Sequence, residues 1–210
     1  MNLAKNIDHN LLNNSLNKIA SDGSTHHGYS FEDFVTLALG FTEADGTPYR
    51  DRKQGGTKNH RQSFDIPQEV AERNPILPEA YKLPWSIKSV KIGTPIGLGT
   101  ARLQYDAWST SGLVQVSGFY SKKGGEKRLE HFSIEVVPPD VEYWGNITKE
   151  VIAQIDPKGV SRDDYSREEF ETETGEVNRG RTGVIGLRAL GRQRNLQAYM
   201  NFSDYNALVA

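Results

Sequence analysis

The fold of this chain is decided by residues 84–93, which read Pro84-Trp85-Ser86-Ile87-Lys88-Ser89-Val90-Lys91-Ile92-Gly93. Apolar and polar side chains alternate along this stretch, as is typical of a β-strand, and the parity slips between Ile87 and Val90. The slip indicates either a β-bulge or a strand that is buried on both faces. Ser86 and Lys88 face the same way, because strand side chains alternate with a period of two.

The elements before this strand are predicted from apolar spacing and from punctuating residues. Helical spacing predicts helices over 8–20 and over 30–40. In the second helix Ser30 is the expected N-cap and Gly40 the expected end. A short strand over 62–67 is expected to stop at its proline, which cannot donate to a ladder.

The elements after the strand complete the prediction. Residues 95–108 have the pattern of a helix, and 112–120 and 129–137 have the pattern of strands joined by a glycine turn. Helices are expected over 146–155 and, as a basic amphipathic helix, over 187–200. This order predicts an α/β fold with a mixed central β-sheet flanked by helices.

The composition is that of a globular chain without cysteine. A length of 210 residues suits a single domain, 1–210. The absence of cysteine excludes a disulfide scaffold, a thiolate zinc site and a cysteine nucleophile. The sequence has no apolar run long enough to span a membrane and no signal-peptide pattern, so we expect no membrane association and a cytoplasmic location.

The formal net charge of −2 conceals two basic segments and one acidic segment. Residues 163–176 contain seven acids and one base and are predicted to be a solvated loop. Residues 50–61 and 179–194 are basic and rich in glycine, which favours contact with phosphate, although arginine-rich faces are often simply solvated. The predicted DNA-contact residues are Arg50, Arg52, Lys53, Lys58, Arg61, Lys91, Arg179, Arg181, Arg188, Arg192 and Arg194.

Asp65 and Lys88 carry the predicted chemistry. Asp65 lies at the end of one predicted strand and Lys88 in the middle of the next. If the two strands are adjacent, both side chains can lie on the same side of the sheet. A carboxylate oxygen suits Mg²⁺, which activates a water, and a lysine can orient that water and offset developing charge. The alternatives are that Asp65 caps the turn before Pro67 and that Lys88 points to solvent. His131, Ser133 and Glu135 share one strand face, which we expect to be the solvent face.

Phe64-Asp65-Ile66, followed after a gap by Trp85-Ser86-Ile87-Lys88-Ser89, resembles the PD-(D/E)xK nuclease core, which many type II restriction endonucleases share. The family pattern is an acid on one strand and acid-x-Lys on the next, with a glutamate on the preceding helix. The resemblance covers about 28–137 and matches Glu32, Asp65 and Lys88 in order. Phe64 replaces the family's proline and Ser86 its second acid, as in Ser-x-Lys variants.

The resemblance implies a restriction-endonuclease-like core over 28–137 and a C-terminal part, 138–210, for DNA contact or dimerisation. It implies catalysis by Asp65, Lys88 and Glu32, with Mg²⁺ held by Asp65 and by Glu32, or alternatively by Asp106. The helix dipole offers another explanation for Glu32, since acids are favoured in a first helical turn.

The expected function is a Mg²⁺-dependent type II endodeoxyribonuclease that cuts double-stranded DNA as a homodimer, since two cuts need two sites about a two-fold axis. The first alternative is a homing, repair or phage-encoded nuclease on the same core. The second is a non-catalytic DNA-binding protein that uses only its arginine segments, and the third is a protein-interaction module that docks its acidic segment on a basic partner.

Overall fold

The computed structural model describes residues 3–17, 27–49, 64–157, 167–189 and 196–209. The α-helices are α1 (His9–Asn17), α2 (His27–Ala38), α3 (Gln68–Arg73), α4 (Ala101–Asp106), α5 (Lys149–Ile155), α6 (Arg167–Arg179) and α7 (Phe202–Val209). The strands are β1 (Trp85–Lys91), β2 (Ile96–Thr100), β3 (Leu113–Lys123), β4 (Glu126–Val137), β5 (Ile185–Ala189) and β6 (Leu196–Met200). Short 3₁₀ turns occupy Leu3–Asn6, Glu79–Tyr81 and Val141–Tyr143, and a π-helical turn, Ala107–Ser111, follows α4.

The chain forms two compact units that are interleaved in sequence. Unit 1 consists of residues 1–92, 113–137 and 209–210, and unit 2 of residues 93–112 and 138–208. Each unit contains a three-stranded sheet, with the order β1-β3-β4 in unit 1 and β2-β6-β5 in unit 2. The predicted class, an α/β fold with a mixed sheet flanked by helices, is confirmed.

The sheet of unit 1 is mixed, because β3 runs parallel to β1 and antiparallel to β4. The register of β1 on β3 is continuous from Trp85 opposite Val114 to Lys91 opposite Tyr120, so β1 contains no bulge. Ile87 belongs to the main core cluster, whereas Val90 is buried outside that cluster. The parity slip in the sequence therefore reflects a strand that is buried on both faces.

Helices α1 and α2 flank one face of this sheet. Phe31 of α2 packs so closely over Gly118 of β3 that a Cβ there would overlap its ring, which explains the glycine. Hydrogen bonds from Asn17 attach helix α1 to β4: its side chain accepts from Lys127 N (2.9 Å) and donates to Lys127 O (2.6 Å). The Asn17 side-chain amide thus makes the two hydrogen bonds to Lys127 that a neighbouring strand would otherwise make, since β4 is an edge strand.

The sheet of unit 2 is antiparallel and amphipathic. One face is apolar and buried and consists of Ile185, Leu187, Leu196, Ala198 and Met200. Asn178 of α6 closes the outer edge of β5, since its side chain donates to Leu187 O and accepts from Leu187 N (2.9 Å). These two bonds fix α6 alongside the sheet.

Three predictions for the first half of the chain are wrong in part. Helix α2 begins at His27, so Ser30 lies inside it and is not its N-cap, because an N-cap has non-helical backbone angles. Residues 95–108 are not one helix but strand β2 followed by α4, because Gly97 and Gly99 weaken a helix and the segment pairs with β6. The expected strand at 62–67 is reduced, within its described part, to one antiparallel bridge between Ile66 and Trp85.

Three predictions for the second half are also wrong. The described residues of the segment 187–200 belong to strands β5 and β6, because Leu196, Ala198 and Met200 alternate toward a buried face rather than following a helical period. The described part of the acidic segment is helical and belongs to α6, which buries Phe170 and Thr174 one turn apart. Ser133 is buried and donates to Val209 O, so the polar face of β4 is not wholly a solvent face. Among the helices of the described residues, none is long and apolar enough to cross a membrane.

Candidate active site

Asp65 and Lys88 meet at the outer edge of β1. The Lys88 Nζ atom lies 3.5 Å from Asp65 Oδ2, and the two side chains are 24% and 18% exposed. The same carboxylate oxygen accepts a hydrogen bond of 2.5 Å from the backbone N–H of Ile87. The predicted contact between these two residues is therefore present, and Lys88 is paired with Asp65 rather than pointing only to solvent.

The neighbouring backbone explains why Asp65 lies there. Ile66 and Trp85 exchange two backbone hydrogen bonds, of 3.2 and 2.9 Å, across the antiparallel bridge. The pairing is limited to this one bridge, and toward Ile87 the Asp65 side chain, rather than a backbone carbonyl, accepts from the Ile87 N–H. Trp85 anchors the strand, since it is fully buried and its Nε1–H donates to Tyr81 O (2.9 Å).

A buried polar strip continues from Lys88 across the sheet. Ser86 and Lys88 stand opposite Gln115 and Ser117 in the parallel register, so all four side chains lie on one face. Gln115 is fully buried, and its Nε2 donates to Ser86 O (2.9 Å). Its Oε1 is buried without a hydrogen-bond partner among the residues described. Sequence reasoning missed Gln115, although a glutamine inside the apolar run Leu113–Val116 was a visible signal.

The donor set at this edge fits Mg²⁺ through one carboxylate. Asp65 Oδ1 receives no hydrogen bond from the described part of the chain, so this oxygen is available to a cation. Within those same residues, no group of three or more histidine or acidic side chains that could hold a metal is present. Mg²⁺ commonly uses one or two carboxylates together with water and substrate phosphate, and Asp65 supplies one carboxylate of that kind.

Glu32 lies in the second turn of α2 and is half-buried. The first turn of α2 contains no acid, so the helix-dipole explanation for Glu32 is removed. Phe31 and Val35 of α2 belong to the core cluster with Ile87, which lies on the face opposite to that of Lys88. The role of Glu32 in the metal site therefore stays a prediction.

Asp106, the alternative ligand, lies at the end of α4 in unit 2, whereas Asp65 belongs to unit 1. Both of its carboxylate oxygens are 3.0 Å from Lys149 Nζ. The pair is mostly solvent-exposed, with side-chain exposures of 60% for Asp106 and 54% for Lys149. This carboxylate is thus engaged in a surface ion pair.

The predicted DNA-contact residues are spread over both units. Lys91 is exposed at the end of β1, and Arg179 is exposed in the last turn of α6. Arg181 and Arg188 both lie beside the Tyr199 ring in unit 2. The remaining predicted contacts fall outside the described residues: Arg50, Arg52, Lys53, Lys58, Arg61, Arg192 and Arg194.

The geometry of the Asp65–Lys88 pair is thus the main indication of function. Comparisons with protein-family models, with curated proteins and with solved structures find no match for this chain.

Proposed function

We propose that this chain is a Mg²⁺-dependent endodeoxyribonuclease whose active site is centred on Asp65 and Lys88. The observation that carries the proposal is the contact of 3.5 Å between a carboxylate and a lysine, both more than three-quarters buried, at a strand edge. Burying two such charges is costly unless they are paired. The fold keeps Asp65 and Lys88 paired at the outer edge of β1 and leaves Asp65 Oδ1 available to a cation, and this arrangement supports a catalytic use.

The order of elements also supports the proposal. Helix α2 precedes the Asp65 bridge, the lysine strand β1 follows in antiparallel pairing, and α4 leads into β3, which runs parallel to β1. This order of helix, acid, lysine strand, helix and strand is the one that carries the resemblance to PD-(D/E)xK nucleases; it differs in that α2 lacks the expected serine cap, α3 lies between the acid and β1, and strand β2 lies between β1 and α4.

Asp65 is the proposed metal ligand. Its Oδ2 atom is fixed by the Ile87 N–H and by Lys88, so the carboxylate is held in one orientation and presents Oδ1. When Mg²⁺ is bound there, it polarises the scissile phosphoryl group and lowers the pKa of a bound water. Glu32 is the proposed second acid, since Ser86 supplies none.

Lys88 is the proposed positioning and charge-stabilising residue. The strand holds its backbone, and Asp65 holds its ammonium group beside the carboxylate that would bind Mg²⁺. There it orients the attacking water and offsets the negative charge that builds on phosphorus. The water oxygen forms the new bond to phosphorus, one ester oxygen leaves, and the proton lost by the water is returned to that oxygen through solvent.

The finer proposal is a type II restriction enzyme that acts as a homodimer on double-stranded DNA. A second candidate is a non-catalytic DNA-binding protein, which is favoured by the arginines around Tyr199 in unit 2. The two candidates differ in turnover: both bind DNA in a salt-dependent manner, but only the first consumes it when Mg²⁺ is present.

The test is cleavage of long linear genomic DNA, in which any short recognition sequence occurs many times, with and without Mg²⁺. We expect Lys88→Ala to lower the rate by about 100-fold or more, because a preorganised donor to developing charge is lost. Lys82→Ala is the matched control, since Lys82 is also partly buried and ion-paired, to Glu79 at 3.1 Å. Wild-type cleavage by Lys88→Ala would refute the mechanism.

A further inference from the structure

The outer face of the unit 2 sheet carries an unusual row of residues. Gly97 on β2 and Gly186 on β5 both stand opposite Tyr199 on the central strand β6. The aromatic ring therefore has a glycine on each side, with no side chain to crowd it. The ring lies over Gly186, where a Cβ would be 2.7 Å from Tyr199 Cε1, and it leaves the surface above Gly97 to the Arg188 side chain.

An arginine guanidinium lies close to each of the two glycines. Arg188 lies with its guanidinium carbon 5.7 Å from the centroid of the Tyr199 ring, and Arg181 lies at 5.5 Å. A Cβ at Gly97 would be 2.7 Å from Arg188 Nη2, and a Cβ at Gly186 would overlap Arg181 Nη1. The two glycines are thus what allows both cations to approach the sheet and the ring. We call these three side chains the Arg181–Tyr199–Arg188 cluster.

The cluster has donors without acceptors. Arg181 Nη1 and Arg188 Nε are buried and have no hydrogen-bond partner among the residues described. Neither guanidinium forms an ion pair with a carboxylate in that part of the chain. A buried donor without an acceptor is unfavourable, and two neighbouring cations repel each other as well. An anion bound to these donors would satisfy them and reduce the repulsion.

The adjoining cleft can admit such a group. It has a volume of about 320 Å³, is lined by Arg188 and Tyr199, and is bounded by Thr174 and Asn178 of α6. Glu171 also lines this cleft, so the anion is expected to lie on the arginine side of it. The described residues that line the cleft all belong to unit 2; Arg188 and Tyr199 are among them, whereas Arg181 lies next to the ring but does not line the cleft.

We propose that the Arg181–Tyr199–Arg188 cluster binds a phosphate group. Guanidinium groups suit phosphate because their planar N–H donors match its oxygens in pairs. Tyr199 holds both cations by cation–π contact before the ligand arrives, so little side-chain freedom is lost on binding. The inference deepens the proposed nuclease function and rests on it for the expected source of the phosphate, a DNA backbone; a free nucleotide has the same chemistry.

The experiment measures binding of a fluorescent DNA duplex by anisotropy with the full chain in EDTA, where turnover is absent. Arg181→Ala/Arg188→Ala is expected to weaken binding by about 10-fold or more and to reduce the slope of log Kd against log salt by about 2. Gly97→Ala keeps both charges but displaces the Arg188 guanidinium, and we expect it to weaken binding as well. Arg102→Ala, at an exposed arginine of α4, is the control and should change Kd less than about 2-fold.

A wild-type measurement covers the case in which the arginine variants fail to fold. Titration with inorganic phosphate should shift the Nε–H signal of Arg188 in the NMR spectrum, and adenosine monophosphate should do so where adenosine does not. The monophosphate is also added to the complex of wild-type protein with the duplex. If it displaces the duplex, the source of the phosphate is a free nucleotide; if it does not, the source is the DNA backbone. Equal responses to adenosine, or wild-type duplex binding by the arginine variants, would overturn the inference.

Failure of this inference is distinguishable from failure of the nuclease proposal. Wild-type duplex binding by the folded arginine variants, together with loss of cleavage in Lys88→Ala, overturns the phosphate cluster and leaves the nuclease. Weakened binding by those variants, together with no Mg²⁺-dependent turnover by wild type, supports the cluster and removes the nuclease.

Discussion

The Asp65–Lys88 pair should be coupled more strongly than an exposed pair at a shorter distance. At 3.5 Å the attraction between unit charges is about 5 kcal/mol for an effective dielectric constant of about 20. Partial desolvation of both groups offsets most of it, and we expect a net coupling of about 1–2 kcal/mol. Asp106–Lys149 lies at 3.0 Å but is more than half exposed, so its coupling should be about 0.2–1 kcal/mol.

The assay is a pair of double-mutant cycles read by urea unfolding at neutral pH. Asp65→Asn retains an acceptor for the Ile87 N–H, so that with Lys88→Met the cycle isolates the charge interaction. Asp106→Asn with Lys149→Met is the matched cycle. If the coupling of the buried pair is no larger than that of the exposed pair, Lys88 is not held at Asp65 and the proposed positioning role loses its basis.

Three further predictions concern stability. Asn178→Ala removes both side-chain bonds to the Leu187 backbone and should lower the unfolding free energy by about 2 kcal/mol, measured by urea, while a neutral result would mean that these bonds do not fix α6. Gly118→Ala should cost about 1–3 kcal/mol through overlap with Phe31, and Phe31→Leu should recover part of that loss in the double variant. Burial, with the neighbouring Lys122, lowers the pKa of Lys127 to about 8, so the unfolded chain keeps this proton to higher pH than the folded chain does. The free energy of unfolding should therefore rise by about 1 kcal/mol, after screening by solvent, between about pH 8 and 9.5. Lys127→Met should abolish that rise.

The sheet of unit 1 was largely predictable from the sequence. The alternation in β1 and the glycine turn between β3 and β4 are local signals, and the structure follows both. The Asp65–Lys88 contact was also predictable, because an acid before a proline and a lysine in the next strand have few ways to be arranged. Gln115 was not found, since burial of a glutamine depends on its backbone partner Ser86, which only the register reveals.

The sheet of unit 2 was not predictable because its pairing is distant in sequence. Ile96 pairs with Met200, so nothing near β2 indicates that it is a strand. The leucines at 187, 190 and 196 imitate a helical period, whereas the structure alternates Leu196, Ala198 and Met200 toward the core. Helix α6 was hidden by its charge, since only a few of its residues are buried against the sheet edge.

The interleaving of the two units has a consequence for the order in which the protein can be made and taken apart. Strand β2 leaves the ribosome directly after β1, yet its partner β6 follows only roughly a hundred residues later, so β2 stays without its ladder for most of synthesis. Equally, no single cut of the backbone separates the units, because residues 93–112 belong to one and the segments on both sides of them to the other. A protease that nicks the chain there should leave fragments that remain associated.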